Sequence, residues 1–168
     1  MRGGGRVYSF EAQHEVFSFL KKNIESNGCN NVSLFEKAVY NKDGELVYFP
    51  QHDFSEISMY KGVPYSGLAL IGDENKGVPV KTITVDSLNI DTPVSFIKVD
   101  VQGADLFAMQ GATKTILKHK PAVVFEFEQS VQKEFKTSFN DYVDFVKSID
   151  YRFVEVVSSI NYVIVPNE

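Results

Sequence analysis

The chain has 168 residues, of which 43% are hydrophobic and 23% charged, values that are ordinary for a soluble globular domain. Its 17 basic and 22 acidic residues give a net charge of -5, which argues against a nucleic-acid binder because that function needs a basic face. No apolar run approaches the roughly 20 residues of a membrane span. The single cysteine, Cys29, excludes an internal disulfide and predicts a reducing, cytoplasmic location. One cysteine and three scattered histidines provide no recognisable set of metal ligands, so no metal site is predicted.

The first half of the chain combines short β-rich runs with one helical run. Apolar residues at helical spacing predict a helix from residue 14 that Gly28 ends. Residues 50–78 are irregular and rich in proline, glycine and serine, which predicts a variable loop or insertion of the kind that forms a lid or a binding segment. The predicted strands are residues 7–11, 32–40, 45–49 and 78–85.

The second half is more regular. Residues 95–100 and the near-continuous apolar run 121–128 predict strands, and residues 104–120 predict a helix with Gly111 inside it. Residues 138–150 form an amphipathic pattern with Ser138 as the cap, and two further runs after Asp150 predict a hairpin. Alternating strands and helices predict one α/β domain over residues 1–168, with a mostly parallel sheet that ends in an antiparallel hairpin.

Acidic residues stand where three of the predicted strands end, at Glu11, Asp100 and Glu126. Parallel neighbouring strands would bring these carboxylates to one rim of the sheet, and in open α/β sheets ligands bind beyond the carboxyl ends of the strands. Each acid taken alone is explained as well by a helix cap or first-turn residue that the helix dipole favours. Three acids at comparable places favour a shared pocket.

Four segments resemble successive motifs of the FkbM-type S-adenosylmethionine-dependent methyltransferases. They are "GRVYSFEAQHEVFSFLKKNIESNG", "EKAVYNKDGEL", "SFIKVDVQGADLFAMQGATKTILKHKPAVVFEFE" and "FVKSIDYRFVEV". The resemblance runs from Gly5 to about Pro166 and leaves residues 50–78 unmatched. It implies a Rossmann-like class I methyltransferase sheet and methyl transfer from S-adenosylmethionine to a hydroxyl of a sugar or related small molecule.

The resemblance also implies roles for individual residues. Glu11 would bind the ribose of the cofactor and Ala38 would lie near its adenine. Asp100 would act at the methyl-transfer end as base or orienting acceptor, with Glu126 and Gln102 lining the same cleft.

Two groups of aromatic residues lead to different expectations. Phe96 and Phe125 occur in strand runs and are expected in the core. Tyr60 and Tyr65 lie in the irregular segment and are candidates for substrate contact, because binding residues concentrate on loops. Packing of these tyrosines over a sheet edge explains them equally well.

The chain departs from the family pattern in three places. Ala12 follows Glu11 where the family has a proline. Gln102 stands where the family has a glutamate, which keeps hydrogen-bonding reach but removes a charge. The first family strand and its glycine-rich cofactor loop have no counterpart, since Gly3, Gly4 and Gly5 precede a strand instead of following one. An N-terminally truncated sheet with an exposed edge is therefore expected, with weak or absent cofactor binding and either a shifted strand that closes the gap, a homodimer or a longer product. The alternative function is a non-catalytic methyltransferase-fold domain that serves as a binding or interaction module.

Overall fold

The computed structural model describes residues 5–49, 70–71, 77–154 and 160–167. These residues form ten strands and five α-helices. In chain order they are β1 Val7–Glu11, α1 His14–Ser26, β2 Val32–Glu36, β3 Ala38–Val39, β4 Leu46–Phe49, β5 Leu70–Ile71, β6 Val78–Ile83, β7 Phe96–Lys98, α2 Asp105–Gln110, α3 Thr113–His119, β8 Ala122–Glu126, α4 Gln129–Phe135, α5 Phe139–Ser148, β9 Tyr151–Val154 and β10 Asn161–Pro166.

The main core is built on a four-stranded sheet in the order β7-β8-β10-β9. Strands β7 and β8 run parallel, whereas β10 is antiparallel to both β8 and β9. The alternation of β8 buries Val123 and Phe125 completely, and the helices cover them with apolar residues such as Met109, Ile116 and Tyr142. The α/β class and the C-terminal antiparallel pairing expected from the sequence are both present. The sheet was expected to be mostly parallel, but among the described strands three pairings are parallel and four are antiparallel.

A second unit, β1-α1-β2, pairs its two strands in parallel. Its helix has an apolar side at Val16, Phe17 and Leu20, but none of the helix residues is fully buried. This unit is therefore held by shallow packing, which makes it the more easily opened part of the described fold.

Strands β1 and β7 are edge strands of two different sheets. Among the described residues, β1 pairs only with β2 and β7 pairs only with β8. β2, β3, β5 and β9 are also edge strands among the described residues, so the truncated sheet expected from the sequence stays a prediction.

The third sheet has the order β3-β6-β4-β5 and includes part of the segment predicted as a loop. Lys37 separates β2 from β3, so the run predicted as one strand over residues 32–40 is divided between two sheets. Strand β3 pairs in parallel with β6, which places Ala38 opposite Thr82.

Three sequence expectations differ from the structure. The helix predicted over residues 104–120 is two helices, α2 and α3, because the chain turns at Gly111 where the main chain of Tyr40 lies against it. Helix α4 was not expected, since its short pattern has few apolar positions. The expectation that Phe96 lies in the core is wrong: its side chain is 56% exposed on the unpaired edge strand β7.

Candidate functional site

Parallel pairing brings the predicted site acids to neighbouring strand ends. The register that sets Lys98 of β7 opposite Val124 of β8 places Asp100 beside Glu126, two residues further along each strand. A cavity of about 250 Å³ is lined by the ends of β1 and β3 and by the turn after β7, with Glu11, Ala38, Asp100 and Gln102 among its residues. The structure thus brings these four predicted residues to one cavity; Glu126 does not line it, but the charge of Asp100 acts on Glu126.

Asp100 is held by two neighbours that reach both of its oxygens. Lys98 Nζ lies 2.5 Å from Oδ2, and Gln102 Nε2 donates to Oδ1 at 3.1 Å. Alternate residues of a strand point to the same side, which explains how Lys98 reaches Asp100. Asp100 is therefore an oriented, ion-paired carboxylate, and Gln102 supplies a donor that a glutamate could not supply when ionised.

Glu126 differs from Asp100 in having no hydrogen bond to its carboxylate among the described residues. Partial burial raises the pKa of Glu126, the negative charge of Asp100 raises it further, and the charge of Lys98 lowers it. A carboxylate with free oxygens and a raised pKa is the better placed of the two to accept a proton.

Asp105, at the start of α2, is fully buried behind the cavity. Its Oδ2 accepts the main-chain N–H of Gly103 at 3.2 Å, and its Oδ1 accepts that of Glu126 at 3.1 Å. Burial raises the pKa of Asp105 to about 6, although the main-chain donors oppose the shift.

Glu11 lines the same cavity from the end of β1. Its Oε1 accepts the main-chain N–H of Gln13 at 2.8 Å, which fixes the side chain where β1 passes into α1. No hydrogen bond to Oε2 is present in the described part of the chain, so this oxygen can accept from a ligand hydroxyl. Ala38 is 9% exposed and leaves a flat wall against which a planar group would pack.

A larger cavity of about 580 Å³ adjoins the first and shares Ala12, Gln13, Lys37 and Phe49 with it. It lies between the start of α1, the end of β2 and the start of β6. His14 and Glu36 form an ion pair of 2.7 Å at its rim, and the hydrogen bond to Glu36 raises the pKa of His14. None of the predicted site residues that the structure describes lines this cavity, so we place the candidate site in the smaller one.

Two of the predicted site residues cannot be placed. Two residues next to the site were not predicted from the sequence. Tyr60 and Tyr65 lie outside the described residues. Sequence reasoning did not select Lys98, although its spacing of two from Asp100 on one strand would have identified it. It also gave Asp105 no role, because an acid in the first helical turn has an ordinary explanation in the helix dipole.

In the described ranges, no group of three or more His, Cys, Asp or Glu side chains is placed to hold a metal ion. No helix in that part of the chain is both long and apolar enough to cross a bilayer.

The cavity lies at the carboxyl ends of the parallel pairs β1-β2 and β7-β8, where α/β proteins bind ligands, and a solved methyltransferase described below has a similar fold. The particular family follows from the sequence: the model of the Methyltransferase FkbM domain matches residues 1–153, and the chain belongs to this family. Among curated proteins, none matches.

Two solved structures are similar to the chain. The methyltransferase FkbM from Methylobacillus flagellatus KT superposes over 95% of this chain with a TM-score of 0.59 at 17% identity, and this chain covers 36% of its length. The Streptococcus mutans protein SMU.1697c, described as a candidate methyltransferase and solved in complex with SAH, superposes over 95% of this chain and 75% of its own, with a TM-score of 0.49 and 13% identity. The chain thus spans about a third of the Methylobacillus structure. The superposition on that third supports the fold.

Proposed function

We propose that this chain is an O-methyltransferase domain that transfers a methyl group from S-adenosylmethionine to a hydroxyl of a sugar or related small molecule. One observation carries the proposal: Glu11, Ala38, Asp100 and Gln102 line one cavity, with Glu126 next to Asp100. Membership of the FkbM methyltransferase family supports the reaction class.

The residues at the end of β1 fit the cofactor. Glu11 offers a fixed carboxylate to the ribose hydroxyls, and Ala38 offers a flat surface to the adenine. S-adenosylmethionine, when bound, supplies an electrophilic methyl group. The cavity of about 250 Å³ lies near the lower end of the size range of small-molecule sites, and the adjoining cavity extends it.

The acids at the ends of β7 and β8 have different roles toward the acceptor hydroxyl. Asp100, held by Lys98 and Gln102, accepts a hydrogen bond from the acceptor hydroxyl and orients it. Glu126 accepts the proton that the hydroxyl loses, since its pKa is raised and no described residue donates a hydrogen bond to its carboxylate. This arrangement assigns orientation to Asp100 and proton acceptance to Glu126.

Methylation assays test this function. The chain is incubated with S-adenosylmethionine carrying a labelled methyl group and with a panel of monosaccharides and polyols, and labelled product and S-adenosylhomocysteine are measured. Glu126→Gln should lower the rate by on the order of 10²-fold or more, the usual contribution of a general base. Glu134→Gln, an exposed glutamate of α4, is the matched control. Unchanged turnover in Glu126→Gln would remove the proposed base.

Cofactor binding forms a separate part of the proposal. The open edges of β1 and β7 leave the wall between Glu11 and Asp100 incomplete in the described fold, so we expect binding weaker than micromolar. Calorimetric titration of this 168-residue chain with S-adenosylhomocysteine measures it. Binding without turnover on any acceptor would point instead to a non-catalytic binding domain.

Partners and location complete the proposal. A second chain can pair its own strand with an unpaired strand edge. We therefore propose a homodimer through the edge of β7. The cytoplasm is the proposed location because Cys29 has no disulfide partner and a reducing compartment keeps such a thiol free.

A further inference from the structure

The carboxylate of Asp105 connects the two segments that carry the proposed catalytic groups. Its side chain is completely buried, and its two oxygens accept main-chain N–H groups from different segments. Gly103 belongs to the turn after β7 that carries Asp100 and Gln102, whereas Glu126 ends β8. The main-chain N–H of Val101 gives further stabilisation to the same carboxylate.

The turn that Asp105 holds has an unfavourable backbone conformation. Gln102 has φ of 51° and Gly103 has φ of 96°, so two successive residues lie in the left-handed region. Residues with a side chain rarely adopt this conformation unless surrounding contacts impose it. Gly103 is also packed so tightly that a Cβ atom there would lie 2.5 Å from Val131 Cγ1 of α4. The turn therefore depends on its contacts for its shape.

Packing alone does not explain a carboxylate at position 105. Burial of an ionised group is unfavourable unless it is paired, and Asp105 makes no ion pair among the described residues. The charged or titratable groups that influence it are Asp100, from the turn, and Tyr142, from α5, and neither is a cation. An apolar residue would fill the space without the cost of burying a charge. A carboxylate at this position is explained by the main-chain N–H groups that donate to it from both segments.

We propose that Asp105 is a positioning residue that sets Asp100 and Gln102 relative to Glu126 by binding the main chain on both sides. The inference deepens the proposed function, because it says how the groups assigned to orientation and proton acceptance keep their spacing. In Asp105→Asn the amide oxygen can accept from only one of the two N–H groups, while the amide nitrogen faces the other, so one link is lost.

Nuclear magnetic resonance tests the link without any ligand. In the wild-type chain the amide signals of Gly103 and Glu126 should shift together as pH changes, with one midpoint near 6, where protonation of Asp105 replaces an acceptor oxygen by a hydroxyl. The same common midpoint should appear in Glu126→Gln, which removes the titration of Glu126 itself. Separate midpoints, or no shift between pH 5 and 7.5, would overturn the proposal even if no variant folds.

Steady-state kinetics provides the second measurement. Asp105→Asn should lower kcat by about tenfold or more with KM for S-adenosylmethionine changed less than threefold, because the Glu11 wall is untouched. Asp144→Asn, an exposed acid of α5, is the control and should match the wild type. An active wild type with an equally active Asp105→Asn would refute the positioning role. If the wild type shows no turnover, the proposed function fails, and the amide titration still decides whether Asp105 joins the two segments.

Discussion

Lys98 Nζ lies 2.5 Å from Asp100 Oδ2, so a cation next to the candidate site is bound to the carboxylate that we assign to orientation. The same positive charge lowers the pKa of Glu126, the assigned proton acceptor. One exposed lysine thus acts on both acids.

Replacement of Lys98 by glutamine should therefore change the pH dependence of methyl transfer. Without the cation, the pKa of Glu126 rises, because burial and the charge of Asp100 then act unopposed. A base works only when deprotonated, so the acidic limb of the pH–rate profile should move to higher pH in Lys98→Gln. Lys133→Gln, a lysine of α4 outside the cavity lining, should leave the limb in place. A limb that stays fixed or moves to lower pH would contradict the assignment of Glu126.

Gly111 should tolerate no larger residue, because a Cβ atom there would lie 2.0 Å from the carbonyl oxygen of Tyr40. Gly111→Ala should lower the free energy of unfolding by about 3 kcal/mol, the upper range for forced overpacking. Gly44 is the comparison: its φ of 76° is unfavourable for alanine, but nothing lies within 4 Å of its Cβ position. Gly44→Ala should cost about 1–2 kcal/mol. Urea denaturation measures the free energy of unfolding of both variants. A smaller decrease in Gly111→Ala than in Gly44→Ala would show that the main chain at Tyr40 can move to make room for the added methyl group.

Much of this arrangement could be predicted from sequence because it depends on local pattern. Glu11 and Asp100 follow apolar runs, and parallel strands bring such positions to one rim. Asp105 could not be assigned in the same way, since its partners are main-chain groups 2 and 21 residues away that only the folded register brings together. Gly111 was placed inside one predicted helix, because the main chain that lies against it and requires glycine there belongs to Tyr40, 71 residues earlier in the sequence. Phe96 was misassigned because apolarity does not reveal whether a strand has a neighbour on each side.

Buried Asp105 should make stability depend on pH between about 4 and 6. The pKa of Asp105 is raised from 3.8 to about 6 in the folded chain, so the folded state binds this proton more tightly than the unfolded state. The resulting stabilisation is complete below about pH 4 and is lost as pH rises through about 6. From pH 7.5 to pH 5 it should add on the order of 1 kcal/mol to the free energy of unfolding.

Asp105→Asn isolates this contribution. His14, whose pKa is also raised, titrates in both proteins, so the difference between wild type and variant cancels its effect. Chemical denaturation at pH 5, 6 and 7.5 gives the two curves. The wild type should gain stability relative to Asp105→Asn as pH falls through this range. Parallel curves would mean that the folded and unfolded states bind the proton at position 105 equally.

The unpaired edge of β7 should govern self-association if the chain dimerises there. Phe96 is 56% exposed on this edge strand, and a lysine at an edge opposes pairing with another strand. Phe96→Lys should therefore shift the monomer–dimer equilibrium towards monomer by at least tenfold in Kd, measured by sedimentation velocity over a range of concentrations. Phe19→Lys is a matched control, since Phe19 is 57% exposed but lies on α1. Equal dissociation constants for the two variants would place the contact elsewhere, and a wild type that stays monomeric at all concentrations would exclude the dimer.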